Sequence, residues 1–149
     1  MVQSMMSLKY NLILLLLCAA VALSACGLLS GASGNSGCDA DILNALRIAP
    51  PASATDLTES CVKGFAPGNA QYRVIFTLDS ADLAAFQSST RITTMQTSLP
   101  ANAVFQDEAA ALTAFQYGQF GDGAIQEDLL VDTSNPQRYK IYFYRAFVD

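Results

Sequence analysis

The sequence predicts an α+β domain, a two-layer sandwich in which an antiparallel sheet of about four strands carries helices packed on one face. Three observations predict it. Tyr72 to Leu78 (YRVIFTL) alternates at the strand period and runs directly into a capped amphipathic helix. Ile125 to Val131 and Arg138 to Val148 are two further strands, joined by the turn-forming stretch Asp132 to Gln137. The chain from Cys38 to Asp149, about 110 residues, suits one small domain with one core.

Taken in order, Cys38 opens a short helix with Asp39 or Asp41 as its N-cap and Ile42, Leu43 and Leu46 on one face. Ala49-Pro50-Pro51 stops it, because proline holds its predecessor extended and donates no amide hydrogen. Ala54 to Phe65 reads as extended, with Leu57 and Val62 as apolar markers, and Pro67-Gly68-Asn69 is a turn. In the strand that follows, Tyr72, Val74, Phe76 and Leu78 share one face, opposite Arg73, Ile75 and Thr77. Asp79 or Ser80 caps the next helix, Asp82 suits its positive end, and Leu83 and Phe86 form its buried stripe. Ser88 to Pro100 is polar and Thr-rich, a loop with room for one short strand. Asp107 to Tyr117 is Ala-rich and predicted helical, with Gly118 as its C-terminal stop. Gly121-Asp122-Gly123 is a turn. The last strand places Tyr139, Ile141, Phe143 and Phe147 on one face and Lys140, Tyr142 and Tyr144 on the other.

The N-terminus has a different character. Lys9 is the only charged residue before Asp39, and Leu12 to Leu23 is almost purely apolar. That run of about a dozen residues is short of the roughly 20 that a spanning helix needs. A cationic start, a short apolar run and small residues at its end describe an export signal over residues 1–25. Leu23-Ser24-Ala25-Cys26 resembles the lipobox of bacterial lipoproteins. The resemblance covers the leader only. It implies a diacylglycerol on the Cys26 thiol, cleavage before Cys26 and acylation of the new amine, so that the membrane becomes a partner through acylated Cys26. By the same resemblance, Gly27 in place of an Asp after the cysteine implies the outer membrane where the host is Gram-negative. Gly27 to Gly37 (GLLSGASGNSG) then reads as a flexible tether of residues 26–37, with an r.m.s. reach of ~20 Å.

Of the four cysteines, Cys18 leaves with the leader and Cys26 takes the lipid. Cys38 and Cys61 remain, an even pair in an exported, oxidising compartment, and read as a structural disulfide, two buried free thiols being the other reading. The disulfide would close a loop of about 22 intervening residues, worth roughly 3 kcal/mol on the chain-entropy model.

Loss of Lys9 leaves 7 of the 8 basic residues against 13 acidic ones, a formal charge of −6 once the N-terminus is acylated. An acidic chain with no basic cluster argues against nucleic acid as a partner. With no His, neither a His-based triad nor a His metal ligand can be built. Asp39 with Asp41, and Asp107 with Glu108, read as first-turn carboxylates of helices. Glu127 and Asp128 fall on opposite faces of a strand and so do not grip one ion, and Asp122-Gly123 lacks the alternating oxygen ligands of a calcium loop. Nothing marks an activated hydroxyl: there is no Gly-x-Ser-x-Gly and no Ser-x-x-Lys. The sequence therefore carries no catalytic residues, no cofactor and no metal site that can be named.

The remaining feature is Tyr139-Lys-Ile-Tyr-Phe-Tyr-Arg145, in which Lys140, Tyr142 and Tyr144 form a candidate interaction surface, since tyrosine combines apolar area with a polar tip. A half-exposed or covered sheet face is the other reading of the same residues. The functional expectation is a lipid-anchored envelope domain that binds or scaffolds without catalysis, with another envelope protein or peptidoglycan as partner. A small-ligand or glycan binder is the alternative, and an unrecognised hydrolase the third.

Overall fold

The computed structural model describes residues 37–64 and 69–148. The chain separates into Met1–Ser33 and Gly34–Asp149, and the described residues belong to the second unit. The expected lipobox with Cys26, the expected tether up to residue 36 and the turn expected at Pro67-Gly68 lie outside the described residues.

The domain is α+β, with five antiparallel strands and a few short helices. Helix α1 (Ala40–Leu46) leads into β1 (Thr55–Lys63), β2 (Ala70–Asp79), a 3-10 turn (Ser80–Asp82) and α2 (Leu83–Ser88). Then come α3 (Gln106–Ala110), β3 (Phe115–Gly121), β4 (Ile125–Asp132) and β5 (Arg138–Phe147). The strand order is β1-β2-β5-β4-β3, so β5 closes the β3-β4 meander against the β1-β2 hairpin. Alternation made β2 legible: Tyr72, Val74, Phe76 and Leu78 are all fully buried on one face.

That first face carries the larger core. Leu46 and Ile48 from α1 and its exit, Phe86 from α2, and Ile92 pack on Tyr72, Val74, Phe76, Leu129, Val131, Ile141 and Phe143. Phe86 stands edge-on to Phe76, with ring centroids 5.1 Å apart, and edge-on to Phe143 at 6.1 Å. Such contacts add about 0.5–1.5 kcal/mol each beyond the area they bury.

Two expectations need correction. The strands number five, because Phe115–Gly121 pairs with β4 where the sequence predicted the end of a helix. Only Gln106–Ala110 of the Ala-rich run is helical. A longer helix there would bury little, since alanines offer small apolar faces, whereas the extended chain delivers Tyr117 fully buried to the sheet. Its edge is satisfied too: Gln96 and Tyr117 exchange two backbone hydrogen bonds of 2.8 Å. Gly118 is accordingly no helix stop. It is a strand glycine over which the chain passes, with the Thr94 carbonyl oxygen 2.8 Å from where a Cβ would stand.

The second correction concerns the layers. Helices occupy both faces. On the second face Ala103, Phe105 and Ala109, the last from α3, bury against Tyr117, Leu130 and Tyr142, with Leu99 and Leu112 packed alongside. The sheet is covered on both sides over its central rows.

Cys38 and Cys61 form a disulfide that joins the start of α1 to β1, with Cα atoms 5.7 Å apart. The Gly37 amide adds a 2.8 Å hydrogen bond to the Cys61 carbonyl, and Lys63 pairs with Asp39 at 2.9 Å. No helix among the described residues is long and apolar enough to cross a membrane.

Candidate binding face on the second side of the sheet

The strand register places side chains in rows across the second face. One row reads Tyr117, Leu130, Tyr142, Ile75 and Thr58 from β3 to β1. The segment from Leu99 to Leu112 lies on it, and Tyr142 is only 8% exposed, its ring 6.0 Å from that of Phe105. Tyr142 therefore does not belong to an open interaction surface. The sequence showed its alternation but not the loop that folds back over it. Lys140 is exposed beyond the covered row and rests over the Tyr142 ring at 5.3 Å.

The next row is different. It reads Gln119, Asp128, Tyr144, Arg73 and Ser60, followed by Gln126, Ala146, Gln71 and Val62. The cover reaches this row only in part: Val104 touches Asp128 and Glu108 pairs with Arg73, and beyond them the row opens. Gln119, Ser60, Gln71 and Val62 are exposed, and Tyr144, Arg73 and Gln126 are half-buried. Of the predicted surface residues, Tyr144 belongs to this row.

Asp128 organises the open row from beneath. It is fully buried, and a buried carboxylate must be well supplied with hydrogen bonds. Gln126 Nε2 donates to it at 2.8 Å, Gln119 Nε2 and the Val104 amide at 3.4 Å, and the Tyr117 hydroxyl also donates to it. The Val104 contact ties the covering segment to the sheet. Burial raises the Tyr117 hydroxyl above the usual tyrosine range, helped by its bond to Asp128, and it stays protonated as a donor. Tyr144 is raised for similar reasons, first burial and then the Asp128 charge. Its hydroxyl has no hydrogen-bond partner among the described residues.

At the far side of the row Arg73 is occupied twice. Its guanidinium stacks on Phe105 at 4.9 Å and pairs with Glu108. The exposed part of the row therefore presents amides, a hydroxyl and half an aromatic ring, with its one cation neutralised.

Glu127 faces the other way, as the alternation predicts. It is fully buried on the first face, where it sits opposite Arg145 in the register and accepts its guanidinium at 2.8 Å. The Arg91 amide completes it at 2.8 Å. The sequence reading missed that both adjacent carboxylates are buried. The signal available was Arg145, two residues from the C-terminal end of a core strand. Asp122 is exposed and held below the usual carboxylate range by the Ile125 and Ala124 amides, which makes it a turn residue.

A second feature is an open depression of about 410 Å³ between the exit of α1 and the β1 edge. Arg47, Ile48, Pro50, Leu57 and Glu59 are among the residues lining it. Its polar wall is self-satisfied: Arg47 grips Glu59, at 2.5 and 3.1 Å, and Tyr72 donates to the same carboxylate at 3.0 Å. Leu57 is half exposed at a bulge that Asp56 opens with φ 57°, a left-handed conformation that Asp tolerates.

No protein-family model, curated protein or solved structure matches this chain.

Proposed function

We propose that this chain is a lipid-anchored cell-envelope protein whose domain is a non-catalytic binding module, working through the open rows of the second sheet face. Acylated Cys26 supplies the anchor on the strength of the Leu23-Ser24-Ala25-Cys26 lipobox, and Gly27 favours the outer membrane in a Gram-negative host. The observation that carries the binding reading is the end of the cover at Tyr144. There one side of Tyr144 packs on the covered core and the rest stays exposed, near Gln126 and Gln119, whose amides donate to the buried Asp128.

Photo-reactive side chains placed at positions 71 and 119 of the full-length protein, with a third at Ser88 behind α2, test this in cells. Adducts at 71 and 119, absent at 88 and diminished when Cys26→Ala frees the protein from the membrane, are the expected result. Equal labelling at all three positions, or none at the first two, would overturn the assignment of the face.

A further inference from the structure

We infer that the outer edge of β1 takes up an extended peptide segment of a partner protein as a sixth strand, with one large apolar side chain of that segment seated in the depression beside Ile48, Pro50 and Leu57. This site lies on the first side of the sheet and does not rest on the rows proposed above.

Backbone chemistry is the first argument. Strand β1 ends the sheet, with β2 on one side only. The Gly37 amide reaches the Cys61 carbonyl from the open side. In an antiparallel strand a residue turns its N–H and C=O the same way, and that direction alternates along the chain. Glu59, two residues from Cys61, therefore turns both groups outward as well. Neither group meets a partner among the described residues. Such an edge is a template for one more strand. The Asp56 bulge closes the open stretch at one end and Gly37 at the other. The window from Leu57 to Ser60 spans about 13 Å at ~3.3 Å per residue, a length that suits a short segment.

Register is the second argument. A residue that exchanges both backbone bonds with Glu59 sits directly opposite it, and opposed residues point to the same face. Leu57 and Glu59 both line the depression, together with Ile48 of the first core. The incoming side chain therefore projects into that space. Its volume of about 410 Å³ falls within the ~300–1,000 Å³ of clefts that admit small ligands. Ile48, Ala49, Pro50 and Leu57 give it an apolar wall, and Leu57, 50% exposed, is the side chain that the newcomer would cover. The two neighbours of the incoming residue turn to the other face, beside the exposed Thr58 and Ser60. The segment thus reads polar, large apolar, polar.

Charge decides against a second copy of this chain as the occupant. The register that keeps clear of both the bulge and the occupied Cys61 carbonyl would centre on Glu59, and a two-fold would set Glu59 opposite its own counterpart. Like charges directly opposite each other destabilise a strand pair.

The test is titration of the full-length protein in detergent micelles with the peptide acetyl-Thr-Ser-Leu-Ser-Thr-amide, following the Glu59 backbone amide by NMR. The expected result is a saturable shift of that amide and slower exchange of its proton with solvent. A peptide N-methylated at the leucine nitrogen loses the donor to the Glu59 carbonyl, and one with Asp in place of Leu loses the apolar side chain. Each should bind several-fold more weakly. Leu57→Asp in the protein should weaken the parent peptide to a similar degree and leave the denaturation midpoint in place. No shift at Glu59, or either altered peptide binding as well as the parent, would overturn the inference. A Glu59 amide that moves with protein concentration in the absence of peptide would overturn it in favour of a second copy. Photo-adducts at positions 71 and 119 read the opposite face, so that result and this one stand or fall separately.

Discussion

Glu127 and Arg145 allow a quantitative forecast. The carboxylate is fully buried, and the Arg145 side chain retains only 14% of its exposure. Arg145→Met keeps the aliphatic bulk but removes both guanidinium donors to Oε1, leaving Glu127 with the Arg91 amide alone. Breaking a buried pair on one side costs about 3–5 kcal/mol, because an uncompensated charge stays behind. For a domain of this size that lowers the Tm by about 12–20 °C. The Leu46 carbonyl loses its 3.1 Å donor in the same substitution, which pushes the loss in the same direction. Adding Glu127→Gln removes the stranded charge and preserves an acceptor for Arg91, so the double variant should recover to within about 1–2 kcal/mol of the parent. Circular dichroism in a urea series reads both values on the full-length protein in detergent. A single variant that loses less than about 1 kcal/mol, or a double variant that falls as far as the single, would refute the account of Glu127 as a buried, compensated charge.

Three further outcomes follow from the geometry. Tyr72, Tyr117 and Tyr144 titrate above the ordinary tyrosine range, mainly because burial disfavours the phenolate. Their contribution is complete below pH 10 and is lost as pH rises toward the folded values, so denaturation midpoints should hold to about pH 10 and decline above it, less steeply in Tyr72→Phe; an unchanged slope would contradict the burial argument. Replacing Cys38 and Cys61 together by Ser should remove about 3 kcal/mol of stability on the chain-entropy model, and alkylation of both thiols in unreduced native protein would show that no bridge forms. Gly118→Ala should destabilise by about 1–3 kcal/mol through overpacking against the Thr94 carbonyl, whereas Gly121→Ala, whose added Cβ would meet only the Ile125 oxygen at 4.0 Å, should cost far less.

What the sequence disclosed depended on how each element earns its burial. Strands β2 and β5 show the two-residue period and β4 carries the apolar run Leu129 to Val131, so their existence could be read directly. Strand β3 could not. FQYGQFG has no β-branched residue, follows an alanine run that favours helix, and owes its extended form to pairing with β4 and Gln96. Tertiary contacts outweighed local propensity there. The same limit explains the binding face. Lys140, Tyr142 and Tyr144 share a face by period alone, but which of them is covered depends on Phe105, 37 residues before Tyr142 in the chain. Asp128 was legible as a strand residue with Gln126 two positions before it on the same face, while its contact with Gln119 required the β3-β4 register.

The bridge at Cys38 also has a mechanical meaning. A pull entering the domain from its N-terminal side arrives at Gly37 and Cys38, and the covalent link passes it at once to Cys61 in β1. The residues between, α1 and the Pro50-Pro51 exit among them, are removed from the path of the load. Tension then falls on the β1-β2 ladder, whose many hydrogen bonds share it, while α1 stays seated on its core. With the bridge reduced, the same pull would reach α1 first and peel Leu46 and Ile48 away before the sheet felt any strain.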